Sequence, residues 1–113
     1  MLTQTQAMLI SLGLEVPCVL GLGWVRGWMP KTQLPNWLIA AVAATLITHP
    51  FAWDFSVTHT PDLTPEGKAL RIETAVVVAE SVIYTLGLRL PPLRAFTLAL
   101  AANAVSFGVG LLL

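Results

Sequence analysis

Four apolar stretches, each close to the roughly 20 residues that carry a helix across a bilayer, decide what this chain can become. They cover about 7–25, 36–53, 69–88 and 95–113. The segments between them, 26–35, 54–68 and 89–94, carry proline or charge, as connections do. Connections this short join antiparallel neighbours. The expectation is an all-α polytopic membrane protein. It is one transmembrane domain over residues 1–113, built as an antiparallel four-transmembrane-helix bundle.

Composition removes the alternatives. Only 11% of the 113 residues are charged, against about 25% in an ordinary soluble domain, and mean hydropathy is +0.77. A soluble domain this small needs far more polar surface, because most of its residues lie near water. Net charge is zero, and no basic stripe exists to neutralise phosphates, so nucleic acid is not an expected partner. The single cysteine, Cys18, allows no intrachain disulfide and no cysteine-based zinc site. No Lys or Arg precedes the first stretch, so it lacks the positive region of a signal peptide and is expected to remain as a span.

Basic residues set the expected orientation. Arg26 and Lys31 lie in the first connection, Arg89 and Arg94 in the third. The opposite side holds only Lys68 and Arg71, with Asp54, Asp62 and Glu66. This bias places the first and third connections in the cytoplasm, and both termini on the non-cytoplasmic side of a bacterial inner membrane or similar. Trp24, Trp28 and Trp37 are expected to mark the inner interface and Trp53 the outer one.

Local signals refine the spans. Thr64 is a candidate N-cap, Pro65 a first helical residue, and Glu66 suits the positive end of the helix dipole. Pro17 is expected to kink the first helix. Pro50 deprives Leu46 of a hydrogen bond and disfavours helical geometry at His49, so a break in the second helix is expected there.

Three carboxyls fall inside predicted spans: Glu15, Glu73 and Glu80. An ionised group at the bilayer centre costs roughly 2.5–3.5 kcal/mol on insertion scales, an expense helix packing alone does not require. Counted along each helix at about 1.5 Å per residue, Glu15, Glu80 and Asn103 fall near the midplane, while His49 and Glu73 lie about 6 Å from the outer boundary. Two layers result. In helical phase, Glu73, Val77, Glu80, Tyr84 and Gly87 share one face of the third helix, with Thr74, Ser81 and Thr85 beside it. On the fourth, Ala95, Ala99, Ala102, Asn103, Ser106 and Gly110 form a small-residue seam that lets backbones approach. Asn36, Ala40, Ala44, Thr48 and Ala52 make a similar seam on the second. Ser11, Glu15 and Cys18 share a face of the first; Gly23 and Gly27 form a G-x-x-x-G match, but a weak one, because Gly27 lies in the first connection.

Each of these residues has a structural and a functional reading. Glu15 and Glu80 are either a proton or cation site or protonated carboxyls tying helices together. Glu73 either extends that site or pairs with Arg71 or Lys68. His49 suits a metal ligand, a tetrapyrrole axial ligand, a proton relay or a helix-end cap, and His59 an exposed loop position. His49, Glu73, Glu80 and Glu15 supply ligand types for a divalent cation. Asn103 either joins the proton or cation site or, like Ser106, Tyr84 and Thr48, suits hydrogen bonding between helices. Cys18 suits packing. No GxSxG, HExxH, P-loop or CxxC occurs, so no catalytic residue is assigned.

Length, four spans and the midplane Glu15 within Leu14-Glu15-Val16 resemble the small multidrug-resistance transporters, in which a first-helix glutamate exchanges protons for cationic drugs. The aromatic and glycine-rich motifs of that family are not matched. Its third helix does not carry two glutamates like Glu73 and Glu80, and its second does not end in Thr-His-Pro. The likeness is a physical analogy, and no family is assigned. The function expected first is proton- or cation-coupled transport. Two alternatives stand beside it. One is an accessory or assembly subunit of a larger membrane complex, carrying a pigment or haem through His49. The other is an intramembrane enzyme acting on a lipid-soluble substrate. The expected partners are the bilayer and either further copies of the chain or a larger complex. The residues name no cofactor.

Overall fold

The computed structural model describes residues 3–58 and 65–112. Among them are helices α1 (Gln4–Val25), α2 (Leu34–Thr58), α3 (Pro65–Gly87) and α4 (Pro92–Leu112), with a short 3₁₀ turn at Lys31–Gln33 and no strand. Each helix packs against two others: α1 and α3 both touch α2 and α4, while the diagonal pairs do not meet. The result is a square antiparallel bundle of about 45 × 25 × 20 Å. Three helices (α1, α2 and α4) are long and apolar enough to cross a membrane. The other, α3, has 23 residues and interrupts its apolar length with Arg71, Glu73 and Glu80. The chain is a small integral membrane protein.

The helix ends follow local chemistry. Thr3 and Gln6 form a capping box, Gln6 N–H donating to Thr3 Oγ1 (3.1 Å) and Thr3 N–H to Gln6 Oε1 (3.0 Å). That signal, a Thr followed three residues later by a Gln, starts α1 ahead of the expected Ala7. At the other end Gly27 takes φ 71°. Trp28 N–H then donates to Gly23 O (2.8 Å) and Gly27 N–H to Trp24 O (3.1 Å), the paired bonds of a Schellman stop. Thr64, the proposed N-cap of α3, and His59 lie outside the described residues. Pro65 is the first helical residue, as its fixed φ favours.

Three expectations need correction. First, α2 does not break at His49 but runs through Pro50 to Thr58. Within hydrocarbon, losing one carbonyl bond at a proline costs less than exposing the backbone groups of a broken helix. Second, Trp37 does not mark the interface; it is buried inside the bundle, 1% exposed. In keeping with the place of Gly27 in the first connection, Gly23 and Gly27 are not one packing motif. A Cβ on Gly23 would lie 2.8 Å from Trp37 Cη2, so this glycine makes room for the indole, while Gly27 serves the turn. Third, the buried stripe of α2 is Trp37, Ala41, Ala44, Thr45 and Thr48. Asn36 is exposed, because Trp37 next to it occupies the space beside Gly23 and sets the rotation of the helix.

Burial divides the bundle along its length. The buried residues of α1 are Glu15, Val19 and Gly23. On the other helices burial covers Trp37 to Thr48, Val77 to Leu88 and Ala95 to Asn103. All lie between the middle and the end that carries the 26–33 and 88–91 connections. Toward the opposite end, which holds Gln4 and the 58–65 connection, no described residue is fully buried.

Candidate functional site

The last buried layer is polar. Glu80 of α3 is 1% exposed, and its carboxyl reaches two helices at once. Asn103 Nδ2 of α4 donates to Oε1, and Thr48 Oγ1 of α2 lies 3.2 Å from Oε2. Both partners are oriented by their own helices. Asn103 Nδ2 also donates to Ala99 O (2.8 Å), which uses both amide hydrogens. Thr48 Oγ1 also lies 2.9 Å from Ala44 O, the carbonyl one turn earlier that a helical threonine reaches. These contacts tie α2, α3 and α4 together around one carboxyl. The small-residue seam of α4 makes this possible: Ala95, Ala99 and Ala102 are fully buried and bring Asn103 up to α3.

Glu15 faces the same layer from α1. It is 6% exposed and lies within electrostatic reach of Glu80 and Glu73. Tyr84, one turn from Glu80, is buried and within reach of both Glu80 and Glu15. Toward the less buried end, Ser11 Oγ of α1 and Ser106 Oγ of α4 are 3.4 Å apart. Glu73 is half-buried and forms no hydrogen bond or ion pair with another described residue. His49 stacks on Trp53, the ring centroids 6.4 Å apart and the planes at 25°. Its Nδ1 is buried without a hydrogen-bond partner.

The structure brings Glu80, Asn103 and Thr48 into direct contact, with Glu15 and Tyr84 around them. His49 is not part of that contact. No three His, Cys, Asp or Glu side chains among the described residues gather as metal ligands. The divalent-cation set of His49, Glu73, Glu80 and Glu15 is therefore not assembled there. Glu80 is occupied by an amide and a hydroxyl, while His49, one residue on from Thr48 and so turned about 100° around α2, packs on Trp53 of its own helix. Sequence reasoning missed Thr45, a buried hydroxyl donating to Ala41 O (3.3 Å). Its signal was phase, since Thr45 shares the stripe of Ala41 and Thr48.

Two lateral grooves flank α3. One, between α2 and α3, has a volume of about 380 Å³ and is lined by Ile47, Thr48, Phe51, Arg71, Ile72 and Val76, among others. The other, between α3 and α4, has about 680 Å³ and includes Glu73, Val77, Phe96, Leu100, Asn103 and Phe107. The two partners of Glu80 thus each line a groove, on opposite sides of α3. The chain matches no protein-family model, no curated protein and no solved structure.

Proposed function

We propose that the protein carries out proton- or cation-coupled transport, with Glu80 as the proton-holding group and Glu15 as its counterpart on α1. One observation carries this reading. A carboxyl from α3 is enclosed at the layer where full burial stops, and groups on two other helices hold it.

Hydrogen counting adds to it. Thr48 has one hydroxyl hydrogen, but its oxygen lies near two acceptors, Ala44 O at 2.9 Å and Glu80 Oε2 at 3.2 Å. A single hydrogen serves one of them well. A proton on Oε2 resolves the conflict: Glu80 O–H donates to Thr48 Oγ1, Thr48 O–H donates to Ala44 O, and Glu80 Oε1 accepts from Asn103. Loss of that proton leaves Thr48 to choose between two acceptors. The network thus has two arrangements, which a proton site needs. Glu73 and His49 stand toward the end with less burial and suit the mouth of the path. Assembly into a homo-oligomer or a larger complex, with both termini on the non-cytoplasmic side, belongs to the same reading.

The test is proton and cation flux in liposomes holding wild type, Glu80→Gln or Glu15→Gln. Glutamine copies the neutral acid in shape and offers an N–H toward Thr48 and a carbonyl toward Asn103, so the Glu80 variant keeps the bridge but cannot exchange the proton. Flux is expected to fall to that of empty liposomes with Glu80→Gln, and at least tenfold with Glu15→Gln. Undiminished flux in both variants rejects the reading. The lateral grooves favour a second reading, action on a lipid-soluble substrate entering beside α3. Chemically altered lipid or quinone recovered with the wild type but not with Glu80→Gln would select it.

A further inference from the structure

The end of the bundle with the short connections carries a second cluster. Arg26 and Arg94, from the stop of α1 and the first turn of α4, converge on one indole. Their guanidinium carbons lie 5.6 Å and 5.4 Å from the Trp28 ring centroid. Lys31 Nζ lies 5.6 Å from the Trp24 ring. The Schellman stop at Gly27 fixes the backbone of Trp28, so the indole is a rigid post for both arginines. Cation–π contact orients a guanidinium but leaves N–H donors along its edge. No hydrogen bond or ion pair to another described residue occupies those donors in Arg26 or Arg94. The sequence has no acidic residue between Glu15 and Asp54, and none after Glu80. Four cations at this end, Arg26, Lys31, Arg89 and Arg94, therefore face no carboxylate in either connection.

We propose that Arg26, Arg94 and Lys31 form a binding site for the phosphate of an anionic phospholipid. Paired arginines suit a phosphodiester because planar donors meet its oxygens two at a time. The apolar neighbours favour a lipid over free phosphate. Val25, adjoining Arg26, is 79% exposed, and Leu93, adjoining Arg94, is 76% exposed. Trp24 is also largely exposed. A headgroup on the arginines puts its acyl chains along these side chains, at the depth where tryptophan belongs. This site is independent of the carboxyl bridge.

The experiment titrates the full chain, purified in a mild uncharged detergent, with dioleoylphosphatidylglycerol, dioleoylphosphatidylcholine and glycerol phosphate. Binding is read by native mass spectrometry and by tryptophan fluorescence. Phosphatidylglycerol is expected to bind at least tenfold more tightly than either of the others. The double variant Arg26→Gln/Arg94→Gln should lose about tenfold in that affinity, while Lys68→Gln/Arg71→Gln, with the same charge change at the other end, should lose less than twofold. Circular dichroism checks folding. If the double glutamine variant does not fold, Arg26→Lys/Arg94→Lys replaces it, with a loss of at least threefold expected because the planar fork is gone. Equal affinity for the two lipids overturns the proposal. So does glycerol phosphate binding as tightly as phosphatidylglycerol, or full affinity in a folded variant.

Discussion

The two halves of the bundle use the same helices differently. Between the middle and the short connections, helices interlock: Trp37 fills the space that Gly23 leaves, and Val19, Leu98, Ala99 and Ala102 are wholly enclosed. Toward the termini the same four helices enclose no described residue completely, and there lie the half-buried Glu73 and the unpartnered His49 Nδ1. Glu15, Thr48, Glu80 and Asn103 sit at the boundary. The difference teaches where a polar site is affordable in hydrocarbon. Tight packing below holds the carboxyl in one geometry, and looser packing above leaves room for its partners to change. Under the proposed transport reading, the first half gives the bridge its position and the second gives it access.

The largest expected effect tests this division directly. Trp37→Ala removes the largest enclosed side chain and should cost about 3 kcal/mol of stability, as large-to-small core changes do. Phe51→Ala, on a side chain 75% exposed in the other half, should change stability by less than about 0.5 kcal/mol. Reversible unfolding in mixed micelles measures both, and equal losses would break the comparison. Glycines sharpen it with a sign. Gly23→Ala drives a Cβ into Trp37 and should cost about 1–3 kcal/mol. Gly13→Ala, ten residues earlier in the same helix, meets open space and should gain up to about 1 kcal/mol from helix propensity.

Polar residues divide in the same way, with smaller effects. Asn103→Ala leaves Glu80 Oε1 without its donor and should cost about 1–3 kcal/mol, the usual range for an orphaned buried group. His49→Phe removes a nitrogen that has no partner and keeps the stack on Trp53. Its effect should lie between zero and a gain of about 1 kcal/mol. A loss at His49 as large as that at Asn103, read by the same unfolding assay, would mean that the less buried half is held together by polar contacts as well.

Much of this was legible in the sequence for a physical reason. In lipid the backbone must satisfy itself, so length and apolarity fix the helices, and the expense of exposing ionisable or unpaired polar groups to lipid turns Glu15, Glu80 and Asn103 inward. The face shared by Val77, Glu80 and Tyr84 and the alanine seam of α4 followed from helical phase alone. What phase did not give was the fit between particular surfaces. Trp37 read as an interface residue because tryptophan suits headgroups; its burial depends on the absence of a side chain at Gly23, on another helix. The bond from Thr48 to Glu80 likewise depends on the rotation Trp37 imposes on α2. His49 read as a break because proline rules derived in water overstate the case in hydrocarbon. Its failure to join the carboxyls is a matter of rotation: one residue on from Thr48, it is turned about 100° around a helix that did not break.

A last pair of small effects concerns the helix ends that close the packed half. After α1 the chain reverses through Gly27 at φ 71°; after α3 the equivalent position is Arg89, at φ 54°. Only glycine takes this left-handed conformation without steric cost, which for other residues is about 1 kcal/mol or more. The two turns thus share a left-handed residue at the same position after the helix, glycine in one and arginine in the other, although the paired bonds of the first are not formed after α3. Arg89→Gly should raise stability by roughly 1 kcal/mol, and Gly27→Ala should lower it by a similar amount, both read as shifts in the unfolding midpoint. Arg89 touches neither ring of the basic cluster, so its replacement should leave phosphatidylglycerol affinity within twofold. A stability loss with Arg89→Gly would mean that the arginine side chain holds the α3–α4 connection closed by contacts stronger than the strain of its backbone, and the two ends of the packed half would then be built on different principles.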